Sequence, residues 1–436
     1  MKSVQAKVPS SAALIEIIRY RPLKAQPKFG DWWEDEHYAA AVLHPIGEPR
    51  WVDLGRADII DAAVSRLRIT LADGKSAQNH DVANVQKASR LLDQQVMAKI
   101  RPLLGKAEHL LISADGELNL VPFEALRDET GQYLIHHYQF SYLTSGRDLL
   151  GIAEFHRNPQ KPQQEAVILA DPDYYQSGTQ VAKSPPGSQL SSNDNTASVD
   201  SLGNFDRAPG TAELAQTLKA EILPTAKLLT QTAATKTALQ KFQSPQILVL
   251  ATHGFFLPNQ EKVLNDLDRQ TQLIGTGSNQ TLQSQSLKIE NPLLRAGLAL
   301  AGSNRRNDSN LPLDADNGIL TALEIAGLDL RGTQLVVLSA CETGVGEAAV
   351  GDGVYGLRRA LAIAGAQSQV LSLWKVDDTA TKDLMVNYFR KMVNQGQGRH
   401  TALQAAKLEM LKDPQRQHPY YWAGFIPSGD WTPLSK

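Results

Sequence analysis

Two side chains able to form a nucleophilic pair stand in matching places. Cys341, the only cysteine in 436 residues, ends the apolar run in "QLVVLSACETG", and His253 ends the run in "QILVLATHGFF". In each, small residues precede the reactive one and a glycine follows, so a substrate backbone can approach closely. A free thiol has a pKa near roughly 8.5, and an imidazolium or a helix N-terminus beside it lowers that value. The thiolate attacks a carbonyl, and the imidazole gives a proton to the leaving amine. Backbone amides of Gly254 and Cys341 are candidate donors to the oxyanion. A second reading of Cys341 stands beside this one: a lone cysteine is commonly buried and behaves as a small hydrophobe.

The other nine histidines, His37, His44, His80, His109, His136, His137, His156, His400 and His418, have no comparable setting. His136 and His137 are adjacent, so on a strand they face opposite ways and make a poor metal pair. With one cysteine there is no CxxC cluster and no internal disulfide. No metal or cofactor site is assigned.

Stepping the chain shows what must hold the pair. From "EAVILADPDY" onward, continuous apolar strands alternate with helices, the pattern of a parallel sheet covered on both faces. The expected strands are "AVILA", "QILVLATHG", "AGLALAG", "QLVVLSA" and "SQVLSLW". The expected helices are 211–223, 235–242, 319–327, 353–364 (stopping at Gly365) and 379–394. In open α/β sheets ligands bind beyond the carboxyl ends of the strands, which is where His253 and Cys341 fall. Before this region, "ALIEIIRY" reads as a strand and "HYAAAVLHPIGEPRWVDLG" as a hairpin turning at Gly47. Val85, Ala88, Leu92 and Val96 mark a helix over 82–100. "HLLISADGELNLVPFEAL" reads as two strands about Asp115-Gly116. Polar stretches at 176–209, 259–290 and 303–317 read as exposed loops. These features give a smaller α/β N-terminal unit, residues 1–160, and a larger unit, residues 161–436, carrying the pair.

An apolar content of 42% and a charged content of 21% are ordinary for a globular protein. The net charge of -2 gives no polyanion-binding signature, so nucleic acid is not an expected partner. The N-terminus lacks an apolar signal region, and no run is long enough to span a membrane. A chain free of disulfides with a reactive thiol suits the cytoplasm.

"ILVLATHGFF", "GILTALEIAGLDLRGTQLVVLSACETGVGE", "GDGVYGLRRALAIAGAQSQVLSLWKVDDTAT" and "HPYYWAGFIPSGDW" resemble the CHAT domain, a caspase-like peptidase domain of the clan that also holds separase, legumain and gingipains. "ALIEIIRY", "YAAAVLHP" and "LISADGELNLVPFEAL" resemble the N-terminal half of that family, so the resemblance covers nearly the whole chain. It implies a caspase-like α/β sandwich with a mostly parallel central sheet. It also implies His253 as general acid/base and Cys341 as nucleophile. "SACETG" is similar to the legumain form and departs from the caspase signature Q-A-C-x-G, because position 339 is Ser and the Gly comes one residue later. The gap from His253 to Cys341, 341 − 253 = 88 residues, is longer than in caspases and fits the polar insertion at 259–290.

The resemblance also places specificity. Ser339 and "SLWKVDDTAT" correspond to segments lining the S1 pocket of relatives, with Trp374, Asp377 and Asp378 as candidates. An Asp there would hold a basic P1 residue, Arg or Lys, by a charge-assisted bond. The competing reading is that Asp377 or Asp378 caps the helix beginning near Thr379. Ser339 adds no charge, so a neutral P1 stays open, and Lys375 is the one basic residue in that loop. Arg305-Arg306, in a polar stretch, is a candidate self-cleavage site. The expected function is a cysteine endopeptidase acting on a protein or peptide, with a separate regulatory partner such as a TPR-containing protein. A catalytically silent signalling or scaffold module is the alternative.

Overall fold

The computed structural model describes residues 1–29, 31–177, 202–257, 292–308, 316–342, 350–374 and 377–435, with only the backbone of 27, 28, 31, 292, 340–342 and 350–355. The N-terminal strands are β1 (Ala12–Tyr20), β2 (Leu23–Lys28), β3 (Asp31–Trp33), β4 (His37–Leu43), β5 (Arg50–Arg56), β6 (His109–Ser113) and β7 (Gln139–Leu143). Then follow β8 (Val167–Pro172), β9 (Lys227–Gln231), β10 (Ile247–Phe256), β11 (Ala296–Ala299), β12 (Ile319–Thr321), β13 (Leu335–Glu342), β14 (Ser368–Ser372) and β15 (Phe425–Gly429). Among the described residues, all but β2 and β3 form one 13-stranded sheet in the order β12-β11-β10-β13-β14-β15-β7-β6-β1-β4-β5, with β8 on β10 and β9 on β8.

The central ladder β9-β8-β10-β13-β14 is parallel throughout, as is β7-β6-β1. Antiparallel pairs close the margins: β10 with β11, β11 with β12, and β4 with β1 and β5. The two parallel blocks meet where β15, antiparallel to β14, sets Ser428 beside Tyr142 of β7. The continuous apolar runs of β8, β10 and β14 are buried at every position, as strands covered on both faces must be.

Every strand read in the C-terminal region is present, and the hairpin about Gly47 is β4–β5, with Gly47 at φ 100°. The helix Val350–Ala364 stops at Gly365, whose φ of 103° suits glycine. Four readings are corrected. The helix over 82–100 is two, Ala83–Gln95 and Met97–Leu104, broken at Val96 (φ -119°, ψ -74°). The residues after Asp115-Gly116 form short 3₁₀ turns, Gly116–Leu120 and Phe123–Ala125, instead of a second strand. The Asp115 carboxylate accepts from the Gly116 amide at 2.8 Å and starts a helical turn, so the partner of β6 is β7. Residues 319–321 are β12, and the helix is only Ala322–Ala326, begun by a capping box between Thr321 and Glu324.

The fourth correction bears on the site. The end of the polar stretch 176–209 is not loosely exposed: Leu202 and Phe205 are buried against Tyr174, Phe255, Leu257, Ala299 and Ile319. Two large apolar side chains seat a segment that has no periodicity to reveal it. Residues 178–201, 258–291 and 309–315 of the three polar stretches lie outside the described residues.

Candidate active site

β10 is long because it serves two neighbours in turn. Its first half pairs with β8 as far as Ala251 beside Ala170, and its second half pairs with β11 from His253 beside Ala299. β8 turns away at Asp171, held at φ 44°, and a cleft of about 200 Å³ opens beside the gap. His253, Ser339, Asp206, Ala208, Asp378 and Lys382 are among the residues lining it. On the other flank β10 and β13 are parallel, and their register sets Cys341 beside His253 and Ser339 beside Ala251. Two positions 88 apart in sequence therefore sit next to each other, Cys341 one residue before the end of β13 and His253 inside β10, which runs on through Gly254 to Phe256 instead of stopping at the histidine as its sequence suggested.

The imidazole of His253 is enclosed. It is 7% exposed, with the Tyr174 ring 5.5 Å away, the Phe205 ring stacked at 6.0 Å, and those two rings 5.8 Å from each other. Its Nε2 lies 2.6 Å from the carbonyl of Asp206. A carbonyl only accepts, so the bond assigns the proton to Nε2 and makes Nδ1 the basic nitrogen of the neutral ring. Tyr174 Oη meets Thr252 Oγ1 at 3.1 Å, and the Thr252 hydroxyl donates to the carbonyl of Ala299. Arg207, next to Asp206, forms two bonds to the Asp171 carboxylate, at 3.2 and 2.5 Å. The 205–207 segment is thus fixed at the point where β8 turns.

Reading the sequence missed Tyr174, Phe205 and Asp206. Tyr174 comes four residues after the strand "AVILA", and Phe205 is the only aromatic residue in 176–209. Those were the available signals. A carbonyl that orients a histidine leaves no trace in residue type.

The structure separates the two aspartates. Asp377 caps the helix Asp378–Phe389, its carboxylate accepting from the Ala380 amide at 2.8 Å. Asp378 is exposed and lines the cleft. Lys382 lines it too but is paired with Glu213 at 2.9 Å. Ser339 is buried at the cleft floor. Trp374 is buried, and its indole donates to the carbonyl of Tyr420 at 3.2 Å, away from the residues lining the cleft. Gly254 lies within β10, with Leu298 of β11 on one side and Glu342 of β13 on the other. Arg305 is exposed and pairs with Asp308 at 3.3 Å. Arg306 donates to the carbonyls of Ser303, Leu202 and Gly203, with its guanidinium 5.9 Å from the centre of the Phe205 ring. Lys375 lies outside the described residues. Among the described residues no group of three or more His, Cys, Asp or Glu could hold a metal ion, and no helix is long and apolar enough to cross a membrane.

Human tetratricopeptide repeat protein 28 is 24% identical over 335 residues, which cover 76% of this chain and 12% of that protein. The mouse protein of the same name is 33% identical over 118 residues, 27% of this chain and 5% of that one. The chain thus spans a small part of the length of these relatives. Among solved structures, the Saccharomyces cerevisiae separase–securin complex aligns with a TM-score of 0.38 at 12% identity, over 79% of this chain and 17% of that one. The Arg-specific cysteine proteinase gingipain R aligns with a TM-score of 0.40 at 8% identity, over 87% and 74%. The CHAT domain family matches residues 86–430, from the helix Ala83–Gln95 to just past β15. That span takes in the central parallel ladder with β6 and β7, and both His253 and Cys341, and the chain belongs to the CHAT domain family, with a mostly parallel α/β sheet.

Proposed function

We propose that this chain is a cysteine endopeptidase, with Cys341 as nucleophile and His253 as general acid/base. The observation that carries the reading is the parallel register of β10 and β13, with His253 beside Cys341. In the reaction the Cys341 thiol passes its proton to Nδ1 of His253, and sulfur bonds to the scissile carbonyl carbon. His253 then protonates the leaving amine as the C–N bond breaks. A water attacks the thioester, gives its proton to His253, and the returning proton frees the thiol. The bond from Nε2 to Asp206 supports this division of labour, because it keeps Nδ1 as the nitrogen that exchanges the proton. The amides of Gly254 and Cys341 are the proposed oxyanion donors.

The cleft supports a basic P1 residue. Asp378 lines it, Ser339 floors it, and the other acidic candidate, Asp377, is occupied as a helix cap. A guanidinium or ammonium reaching Asp378 would make a charge-assisted bond. Arg305-Arg306 is the proposed site of self-processing. The test is Cys341→Ala: cleavage of Arg and Lys reporter peptides is abolished while the fold stays intact, read by circular dichroism. Undiminished turnover in that variant ends the reading.

A second reading is a signalling or scaffold module whose proteolysis is absent. The relatives' name favours it, since both are tetratricopeptide repeat proteins of which this chain matches a small part. A TPR-containing partner is proposed under either reading. An electrophilic Arg-peptide probe separates them: labelling of Cys341 supports the peptidase, and no labelling with or without a TPR partner supports the scaffold.

A further inference from the structure

We infer that Asn304 is a positioning residue for His253, tying together the two segments whose aromatic rings pack against the imidazole and holding the carbonyl that fixes its tautomer. The inference rests on His253 being the proton-transferring group proposed above.

Asn304 lies in the short turn Ser303–Arg305, just past β11. It contacts both chain segments that enclose the histidine. Its side chain bonds the main chain of Phe205 in both directions: Oδ1 accepts from the Phe205 amide at 2.8 Å, and Nδ2 donates to the Phe205 carbonyl at 2.9 Å. Its backbone amide donates to the carbonyl of Tyr174 at 2.8 Å. One residue thus ties together the chain segments that carry the two rings, 5.5 and 6.0 Å from the imidazole centre. Only an amide side chain of this length offers a donor and an acceptor in one plane, as a neighbouring strand would. Phe205 directly precedes Asp206, so the peptide plane that Asn304 grips sits one residue before the carbonyl receiving Nε2–H.

The turn itself is anchored. Gly302 donates to the Asp173 carbonyl at 3.0 Å, and Ala301 to that of Ala234 at 2.9 Å. Gly302 has φ 88°, which lets the chain reverse there. Arg306 adds bonds to Leu202 and Gly203, at the start of the same segment. The grip therefore passes from β11, through the turn, to the tautomer-setting carbonyl. If Asn304 is truncated, the backbone groups of Phe205 lose their partners, the 205–206 segment shifts, and the imidazole can exchange its proton between nitrogens.

The test uses the full chain labelled with ¹⁵N, with the ring signals of His253 assigned by their loss in His253→Gln. Wild type is expected to show the Nε2–H tautomer. Asn304→Ala is expected to show a mixture of the two tautomers, with kcat for an Arg reporter reduced about tenfold or more and KM within about twofold, the pattern of a misplaced catalytic group. Asn304→Asp keeps the acceptor and loses the donor; it decides the question if the alanine variant does not fold, and is expected to lie between wild type and alanine. A folded variant with the wild-type tautomer and wild-type kcat overturns the inference. A change of tautomer in a chain that cleaves nothing, even as wild type, upholds the positioning role and removes the peptidase reading instead.

Discussion

At the scale of single residues the two adjacent aspartates make the clearest contrast. They are one position apart on a loop whose residue types alone allow either to bind substrate or cap a helix. The structure gives Asp377 the cap and leaves Asp378 on the cleft. Asp378→Ala is expected to lower kcat/KM for Arg and Lys reporters by about tenfold to a hundredfold, the loss of a charge-assisted bond of about 1.5–3 kcal/mol, with no loss of stability. Asp377→Ala is expected to do the reverse, costing about 1 kcal/mol in urea denaturation and leaving P1 preference unchanged. Steady-state kinetics over a set of P1 residues, with a denaturation curve for each variant, checks both. His253 and Cys341 stood out because each follows an apolar run, but β10 continues through Gly254 to Phe256, so the end of the run did not mark the end of the strand. The residues enclosing the imidazole were not, because Tyr174, Phe205 and Asp206 act through ring faces and a main-chain oxygen.

At the scale of elements, the helix Pro209–Thr217 packs against the helix Asp378–Phe389 across the cleft, and the closest point is Gly210 against Asp378. A Cβ at 210 would overlap the Asp378 side chain. Gly210→Ala is expected to cost about 1–3 kcal/mol and to displace Asp378, so selectivity for basic over neutral P1 reporters falls together with the melting temperature. Thermal melts and reporter ratios measured on the same variant check it. The alternating strands and helices of this half were readable because their apolar periods differ. The 3₁₀ turns after β6 were not: "GELNLVPFEAL" has the alternation of a strand, and the local bond from Asp115 to Gly116 turns the chain before any partner strand can pair.

At the scale of the molecule, the two parallel blocks share one sheet and a polar seam. Lys407, from the helix Arg399–Met410, pairs with Glu124 at 2.6 Å, with both side chains almost fully buried. Tyr142 of β7 donates to the same carboxylate at 2.5 Å. Glu124→Ala leaves a buried ammonium without its counter-charge and is expected to cost about 3–5 kcal/mol, read by urea denaturation. Beside this seam, His109 Nε2 meets Ser141 Oγ at 2.7 Å, and the same hydroxyl meets His400 Nδ1 at 2.5 Å. Burial lowers the pKa of His109 from 6.5 to about 4 and holds that of His400 well below the usual value. The unfolded chain therefore binds more protons than the folded one below pH 6.5. Stability does not depend on these groups above that pH, falls as pH drops through the window, and levels off below the folded values. From His109 alone, the loss between pH 7.5 and pH 5 is about 2 kcal/mol, seen as a lower urea midpoint that His109→Gln makes less dependent on pH.

By itself the sequence determined that the thiol and the imidazole each follow an apolar run, the parallel character of the C-terminal block, and the family its motifs belong to. These are local matters, written in apolar period and in the residues that follow a strand. Only the tertiary structure decided that β10 and β13 are neighbours in a register that matches His253 with Cys341, since pairing between distant segments depends on which faces the whole core buries. It also decided that a polar stretch folds back onto the imidazole, and that the N-terminal strands extend the same sheet. The energies involved are contacts between residues tens to hundreds of positions apart, and no local pattern encodes them.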